Sequence, residues 1–418
     1  MVKKNNSSPE YSNDLINYFC CNNPAFYNSG ATDTFDYDSL SYALVAPMSN
    51  YNTNMAYKSP FDAMHPMTPK CLKPGTVNCK PVPNANPPLG FFLDPIKGDV
   101  IFNPSKCDET GIVVVELKEW RKDQNGKALH IGTTRRDLQF VVMNCGNNFP
   151  PKIKSSKYDY TICEGEKIKI DFNATDIPHP SNPNGKKDTV TLSWNGALIN
   201  NGSFTTTNDT NNRDKIGSFE WQTKIGDVQD APYTFTVNAQ DDACPLMAKT
   251  SRSFSIKVLP KAKILSKTFS TFCDKITVEA VPDNKSIGPF TYNWTLYDSA
   301  SPNVVVDTKT SSKDTLTVNS ESTYYVKLVL TNGLNCPSTF LDTIRFTPKL
   351  NTLNLGNDTT LCIGDSLAIN ATTSGAAYLW NNGATDSSIT VSSSGSYSVR
   401  VNVSGCFSYD TIVVTFNS

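Results

Sequence analysis

Three stretches of the chain repeat one plan: a Cys, a strand-like run, a Trp, a Tyr-led alternating run and a second Cys. They are Cys163, Trp194, Tyr233–Val237 and Cys244; then Cys273, Trp294, Tyr325–Val329 and Cys336; then Cys362, Trp380, Tyr397–Val401 and Cys406. Each closes on a further alternating run: Phe254–Val258, Thr343–Phe346 and Thr411–Phe416. Alternation with a period of two puts one face of a strand on a core and the other in water. A Trp supplies the largest single apolar area that so small a core can contain. The reading is all-β: tandem β-sandwiches with Greek-key connections.

Pro-marked stretches separate the repeats: Asn147–Pro151, Leu259-Pro260 and Thr347-Pro348. The expected domains are 1–148, 149–260, 261–348 and 349–418, and short Pro linkers between them favour an extended array. The first domain diverges. Cys20-Cys21-Asn22-Asn23-Pro24 resembles Cys145–Pro150, so residues up to about 21 read as the tail of a preceding domain. Residues 45–98 show little periodicity and read as a long decorated loop. Gly98–Phe102 reads as a strand, and Gly111–Leu117 and Arg136–Val142 then read as a hairpin turning near Asn125-Gly126.

Twelve cysteines with no CxxC pair and only three His argue for disulfides over metal cages or thiol catalysis. The expectation is one pair in each of the last three domains: Cys163–Cys244, Cys273–Cys336 and Cys362–Cys406. Cys71, Cys79, Cys107 and Cys145 are further candidates, with connectivity in the first domain left open. Such cysteine usage implies an oxidising, extracellular compartment. The net charge of −1, from 38 basic and 39 acidic residues, gives no reason to expect nucleic acid or an anionic membrane as partner. No apolar run reaches the about 18 residues of a membrane span, so no membrane insertion is expected. The start, Met1–Asn6, lacks an apolar leader core; the expectation is a removed signal peptide or a piece of a longer chain.

The repeats are immunoglobulin-like in pattern, and their details resemble a known family. Asp99–Pro104, Val113–Leu117, Gly132 and Arg135–Gln139 resemble repeats of SprB-type gliding-motility adhesins of Bacteroidota. Leu361–Leu367, Tyr378–Thr385 and Gly395–Val399 resemble the PKD/Ig-like repeat common in those proteins. The resemblance implies type IX secretion, display at the outer-membrane surface, and adhesion. It also implies partners among surface glycans or proteins, the rest of a longer chain, and surface motility machinery.

Two segments also resemble the A-x-D…D-x-L/V stretch of cadherin-like domains. One carries Asp33, Asp36 and Asp38; the other carries Asp176 and Asp188, with Asp241 and Asp242 further on. Clustered loop carboxylates offer the hard oxygens that structural calcium needs. The usual Asp-Gly-Asp core is absent from both. The competing reading is turn capping by Asp side chains. No other cofactor is expected.

Asp-Ser/Thr pairs recur before an aliphatic residue, Ala or Thr, which resembles the O-glycosylation sequon of Bacteroidota. The candidate acceptors are Ser39, Thr189, Ser299, Thr315, Thr343, Thr359, Ser366 and Thr411. The alternative is an Asp ending a turn just before a strand.

No nucleophile elbow, zinc-protease helix or phosphate-cradling Gly loop occurs, so no catalysis is expected. The candidate contact surface is the 45–98 segment, through Tyr51, Tyr57, Phe61, Phe91 and Phe92. Aromatics on a loop above a rigid sandwich stack on sugars or anchor protein contacts; the competing reading folds them back over a sheet. The function expected is a stalk and contact surface of an adhesin serving gliding or attachment. The alternative is a non-catalytic spacer or carbohydrate-binding module of a secreted polysaccharide-degrading enzyme.

Overall fold

The computed structural model describes the chain apart from residues 1–5, 14, 17, 34, 36–37, 51, 124, 147, 177–187, 197–198, 200, 209–212, 244–246, 319, 348–352, 404–405 and 418. Among the described residues the regular elements are strands, and no helix is long and apolar enough to cross a membrane. The chain forms two compact units, Met1–Pro260 and Lys261–Ser418.

The first unit holds two sandwiches. In the first, strands Ser39–Val45, Glu109–Lys122, Ala128–Met143 and Tyr18–Cys20 make one sheet. Strands Ala25–Tyr27, Val100–Phe102 and Phe91–Leu93 make another. Their shared core is aromatic: Phe19 lies 5.2 Å from Phe102 and 4.6 Å from Phe140, between ring centres. The long hairpin turns at Asp123–Lys127, where the Asp123 amide donates to the Lys127 carbonyl at 3.0 Å and Gly126 takes φ +80°.

The second sandwich shows the alternation most plainly. In Lys167–Thr175, Ile168, Ile170, Phe172 and Ala174 are buried, while Lys167, Lys169, Asp171 and Asn173 face water. Its two sheets run Lys152–Ser155, Lys167–Thr175, Lys215–Gln222, Ser203–Asn208 and Asp159–Cys163, Lys249–Leu259, Tyr233–Gln240, Thr191–Trp194. Between them Phe235 stacks on Phe219 at 4.4 Å and on Phe254 at 5.1 Å.

The second unit repeats the plan. Its third sandwich packs Ile264–Phe272, Lys275–Pro282 and Lys313–Thr317 against Ser301–Lys309, Thr291–Asp298, Ser322–Thr331 and Pro337–Phe346. The fourth packs Leu367–Asn370 and Ser388–Val391 against Thr359–Cys362, Cys406–Asn417, Gly395–Val403 and Ala376–Trp380. Trp294 and Trp380 fill these two cores, at 1% and 2% exposure. In the second sandwich Trp194 is on an edge strand and half-buried, and Trp221 takes the buried place instead.

Several expectations are corrected. Residues up to 21 are not the tail of another domain. Tyr18–Cys20 pairs in parallel with Val141–Met143, and disulfides Cys20–Cys145 and Cys21–Cys107 fix the Cys-Cys step in the first sandwich. Neighbours at a strand end face opposite sides, so each Cys reaches its own partner. Cys71 pairs with Cys79. Cys163 is disulfide-bonded, and its expected partner Cys244 lies outside the described residues.

In the second unit the bond is Cys273–Cys406, with Cα atoms 5.7 Å apart. It joins the third and fourth sandwiches. Cys336 is also disulfide-bonded, and Cys362 is free and exposed. The expected Cys273–Cys336 and Cys362–Cys406 pairs are therefore not formed, and register explains both. Cys362 sits opposite Asn417, while Cys406 begins that same strand, about 35 Å away at the usual rise per residue. Cys273 turns the hairpin between Phe272 and Lys275, whereas Cys336 accepts from Ala262 near the hairpin's other end. A disulfide needs Cα atoms within about 7 Å.

Candidate functional site

The expected contact segment is pinned to the first sandwich. Met67 is fully buried, and Gly111 makes room for it: a Cβ there would lie 2.7 Å from Met67 Cγ. The Cys71–Cys79 bond closes the loop beyond it. Of the aromatic candidates, Phe91 is a core residue at 2% exposure and not a surface group, because it packs on Phe102 at 4.9 Å. Tyr57, Phe61 and Phe92 are half-buried, and the Tyr57 hydroxyl donates to the Ile112 carbonyl at 2.9 Å. Tyr51 lies outside the described residues. The outer part of the segment, Pro83–Pro88, turns toward the second sandwich and frames a cavity of about 770 Å³ with it.

The junction beside that cavity is bonded by buried polar groups. The Ser253 hydroxyl donates to Asp99 Oδ1 at 2.6 Å, and Asn28 Nδ2 donates to the same oxygen at 2.9 Å. Asn28, Asp99 and Ser253 are all buried. Burial pushes the Asp99 carboxyl above its ordinary range, against the donors that favour its anion. Lys97 bridges to Asp159 of the second sandwich at 3.0 Å. Arg252 lies between two rings, 4.5 Å from Phe26 and 4.2 Å from Tyr158.

Two carboxylate groups correspond to the calcium candidates. In the first sandwich Asp33 and Asp38 meet Glu119, a buried trio with ligand oxygens within 4.8 Å of one another. Asp36 lies outside the described residues. Arg121 already grips Asp38 with two nitrogens at 2.6 and 2.7 Å. The amides of Phe35 and Asp38 donate to Asp33, and Asn6 donates to Glu119. Arg121 therefore offsets one of the trio's three charges, and neutral amides hydrogen-bond the other two.

In the second sandwich the candidates gather at one end. Asp176 accepts from the Asp188 amide at 3.1 Å, and Asp242 accepts from the Thr189 amide at 2.6 Å, which holds the Asp242 carboxyl below its ordinary range. Asp241 is 2% exposed; its Oδ1 takes the Ala248 and Ala243 amides, and the Asn148 side chain also hydrogen-bonds the carboxyl. Burial raises its pKa, and the Asp188 charge adds to the rise.

The glycosylation candidates are accessible. Thr343, Ser366 and Thr411 are exposed, and Ser39, Thr189, Ser299, Thr315 and Thr359 are half-buried. Thr343 and Thr411 lie within strands Pro337–Phe346 and Cys406–Asn417, so strand-start capping does not account for those two.

Sequence reasoning missed Glu119, Arg121, Asn28, Arg252 and Ser253. Glu119 and Arg121 sit on a long strand where alternation alone places charges in water. Asn28, Asp99 and Ser253 meet only through the packing of two domains.

No family model matches the chain, and no curated protein matches it. Among solved structures it is similar to a multidomain segment of titin, at 10% identity over 81% of this chain and 98% of that one, with TM-score 0.28. It is also similar to the mouse clustered protocadherin PcdhgC3 EC1-3, at 12% identity over 60% and 83%, with TM-score 0.22. A third is the N-terminal four Ig domains of Dscam1 isoform 6.44, at 9% identity over 99% and 100%, with TM-score 0.18. The chain's own strands and cores define it as a tandem β-sandwich protein.

Proposed function

We propose that the chain is a non-catalytic adhesion module, displayed outside the cell, whose contact surface is the long segment of the first sandwich. The observation that carries this reading is the anchoring of that segment. Met67, Phe91 and the Cys71–Cys79 bond hold it rigidly, and its Pro-rich outer part opens onto a cavity. Binding residues on a loop held by a rigid scaffold lose little entropy on contact. Among the described residues ten cysteines are disulfide-bonded, which supports an oxidising compartment. Service in gliding or attachment on a bacterial surface, with type IX export, rests on the sequence resemblance.

Antibody raised against the chain should label intact producing cells, and soluble chain should compete with their attachment to surfaces. Labelling confined to lysed cells would overturn display, and attachment unaffected by excess chain would overturn adhesion.

Structural calcium belongs to this reading at the end of the second sandwich. The buried Asp241 carboxyl, which senses the Asp188 charge, supports a hard cation there. EDTA should lower the melting temperature and calcium should restore it; a melt insensitive to both would refute the ion.

A further inference from the structure

We propose that the cavity between the first two sandwiches is a binding site for an acidic saccharide, a sugar chain carrying carboxylates. This deepens the adhesion reading and rests on it.

The charges lining the cavity are all positive: Lys152, Lys154 and Arg252, with no Asp or Glu in the wall. Lys152 and Lys154 are exposed on strand Lys152–Ser155. Arg252 is clamped between the rings of Phe26 and Tyr158, and its buried Nε has no hydrogen-bond partner among the described residues. Two carboxylates sense its charge, Asp99 and Asp159, but both are engaged elsewhere: Asp99 by Asn28 and Ser253, Asp159 by Lys97 and Ser255. A guanidinium held flat by two rings and lacking a carboxylate partner is arranged for bidentate contact with an incoming one.

The rest of the wall selects the kind of anion. Phe149, Tyr158 and the prolines at 24, 83 and 150 offer flat apolar faces, and Asn84 and Asn86 stand exposed at the rim. Flat faces pack on the C–H side of a sugar ring, and amides both donate to and accept from hydroxyls. At about 770 Å³ the cavity lies in the range of small-ligand sites, about 300–1,000 Å³. A short oligosaccharide fits that range better than an extended peptide, which would need a strand edge or a long groove.

The test is calorimetric titration of the full chain with tetragalacturonic acid, its methyl-esterified form and tetraglutamate. The acidic sugar should bind, the esterified form should bind at least about tenfold more weakly, and affinity should fall with added salt. Arg252→Gln should lose about tenfold or more. Because Arg252 also packs on two rings, the double variant Lys152→Ser/Lys154→Ser provides an exposed, fold-neutral alternative and should also weaken binding. Equal binding of the ester, unchanged binding by the double variant, or binding of tetraglutamate in place of the sugar would each overturn the proposal. If the acidic sugar fails to bind while the chain still competes with cell attachment, the ligand assignment falls and the adhesion reading stands.

Discussion

Ser253→Ala is the sharpest test of how the first two sandwiches are joined. Ser253 is a second-sandwich residue, yet its hydroxyl donates to Asp99 of the first at 2.6 Å and stands 3.0 Å from Asn28 Nδ2. Removing it deletes a hydrogen bond to a buried carboxylate and leaves Asp99 with Asn28 as its remaining side-chain donor. Hydrogen bonds to charged groups contribute about 1.5–3 kcal/mol, and the loss here should fall in that range at pH 7. In a unit of this size each kcal/mol lowers the melting temperature by roughly 2–4 °C.

The pH dependence gives the test its second arm. The folded pKa of Asp99 lies above its unfolded value because burial penalises the anion. Its contribution to stability is therefore greatest below the unfolded pKa and is lost as pH rises through the folded one. The hydroxyl matters most to the anion, so the difference between wild type and variant should shrink as the medium is acidified from neutral. Scanning calorimetry of both proteins at several pH values measures it. A loss below about 0.5 kcal/mol at pH 7, or a difference that grows in acid, would refute the network as the joint.

The cysteines make a mass-spectrometric prediction. Cys362 should alkylate in the native, unreduced chain, and a non-reduced digest should yield a Cys273–Cys406 cross-linked peptide. Trp294→Ala should destabilise the second unit by about 3–5 kcal/mol in denaturant melts, since it empties a fully buried site and strands the Ser311 carbonyl that Nε1 contacts at 2.9 Å. Calcium at the second sandwich should stabilise more at pH 7.5 than at pH 5, because the raised pKa of Asp241 makes the proton compete with the ion; a gain independent of pH would contradict this.

The fold was legible where one strand face decides everything. Ile168, Ile170, Phe172 and Ala174 alternate with charged or polar residues in the sequence, and they alternate between core and water in the structure. Trp294 and Trp380 were legible as core for the same reason. Trp194 is only half-buried, and edge position does not explain it, because Trp380 is on an edge strand too and is fully buried. The candidate site was legible only in part. Residues 45–98 stood out through their lack of periodicity, but that lack cannot say which aromatics turn inward. Phe91 does so because the three-residue strand Phe91–Leu93, too short to register by pattern, pairs with Val100–Phe102. Arg252 drew no reading from the sequence, and the Phe26 ring that completes its clamp comes from the neighbouring sandwich.

The cysteines show most plainly why spacing underdetermines structure. A Cys-Trp-Tyr-Cys order fixes how many residues separate two thiols, but strand direction decides how far apart they lie. Cys362 and Cys406 border the same four-stranded sheet, yet parallel pairing of Thr359–Cys362 with the end of Cys406–Asn417 puts them at opposite ends. Cys406 is left at the tip of a hairpin, opposite Val403, and Cys273 occupies the turn of another hairpin at φ +50°. Two turn residues from successive sandwiches can meet where two framework strands of one sandwich cannot. The bond closes a loop of 133 residues in sequence, which in the chain-entropy model stabilises the folded pair by about 5 kcal/mol. It acts on both sandwiches at once, so reducing it should loosen the joint between them while leaving each core, built around Trp294 and Trp380, intact.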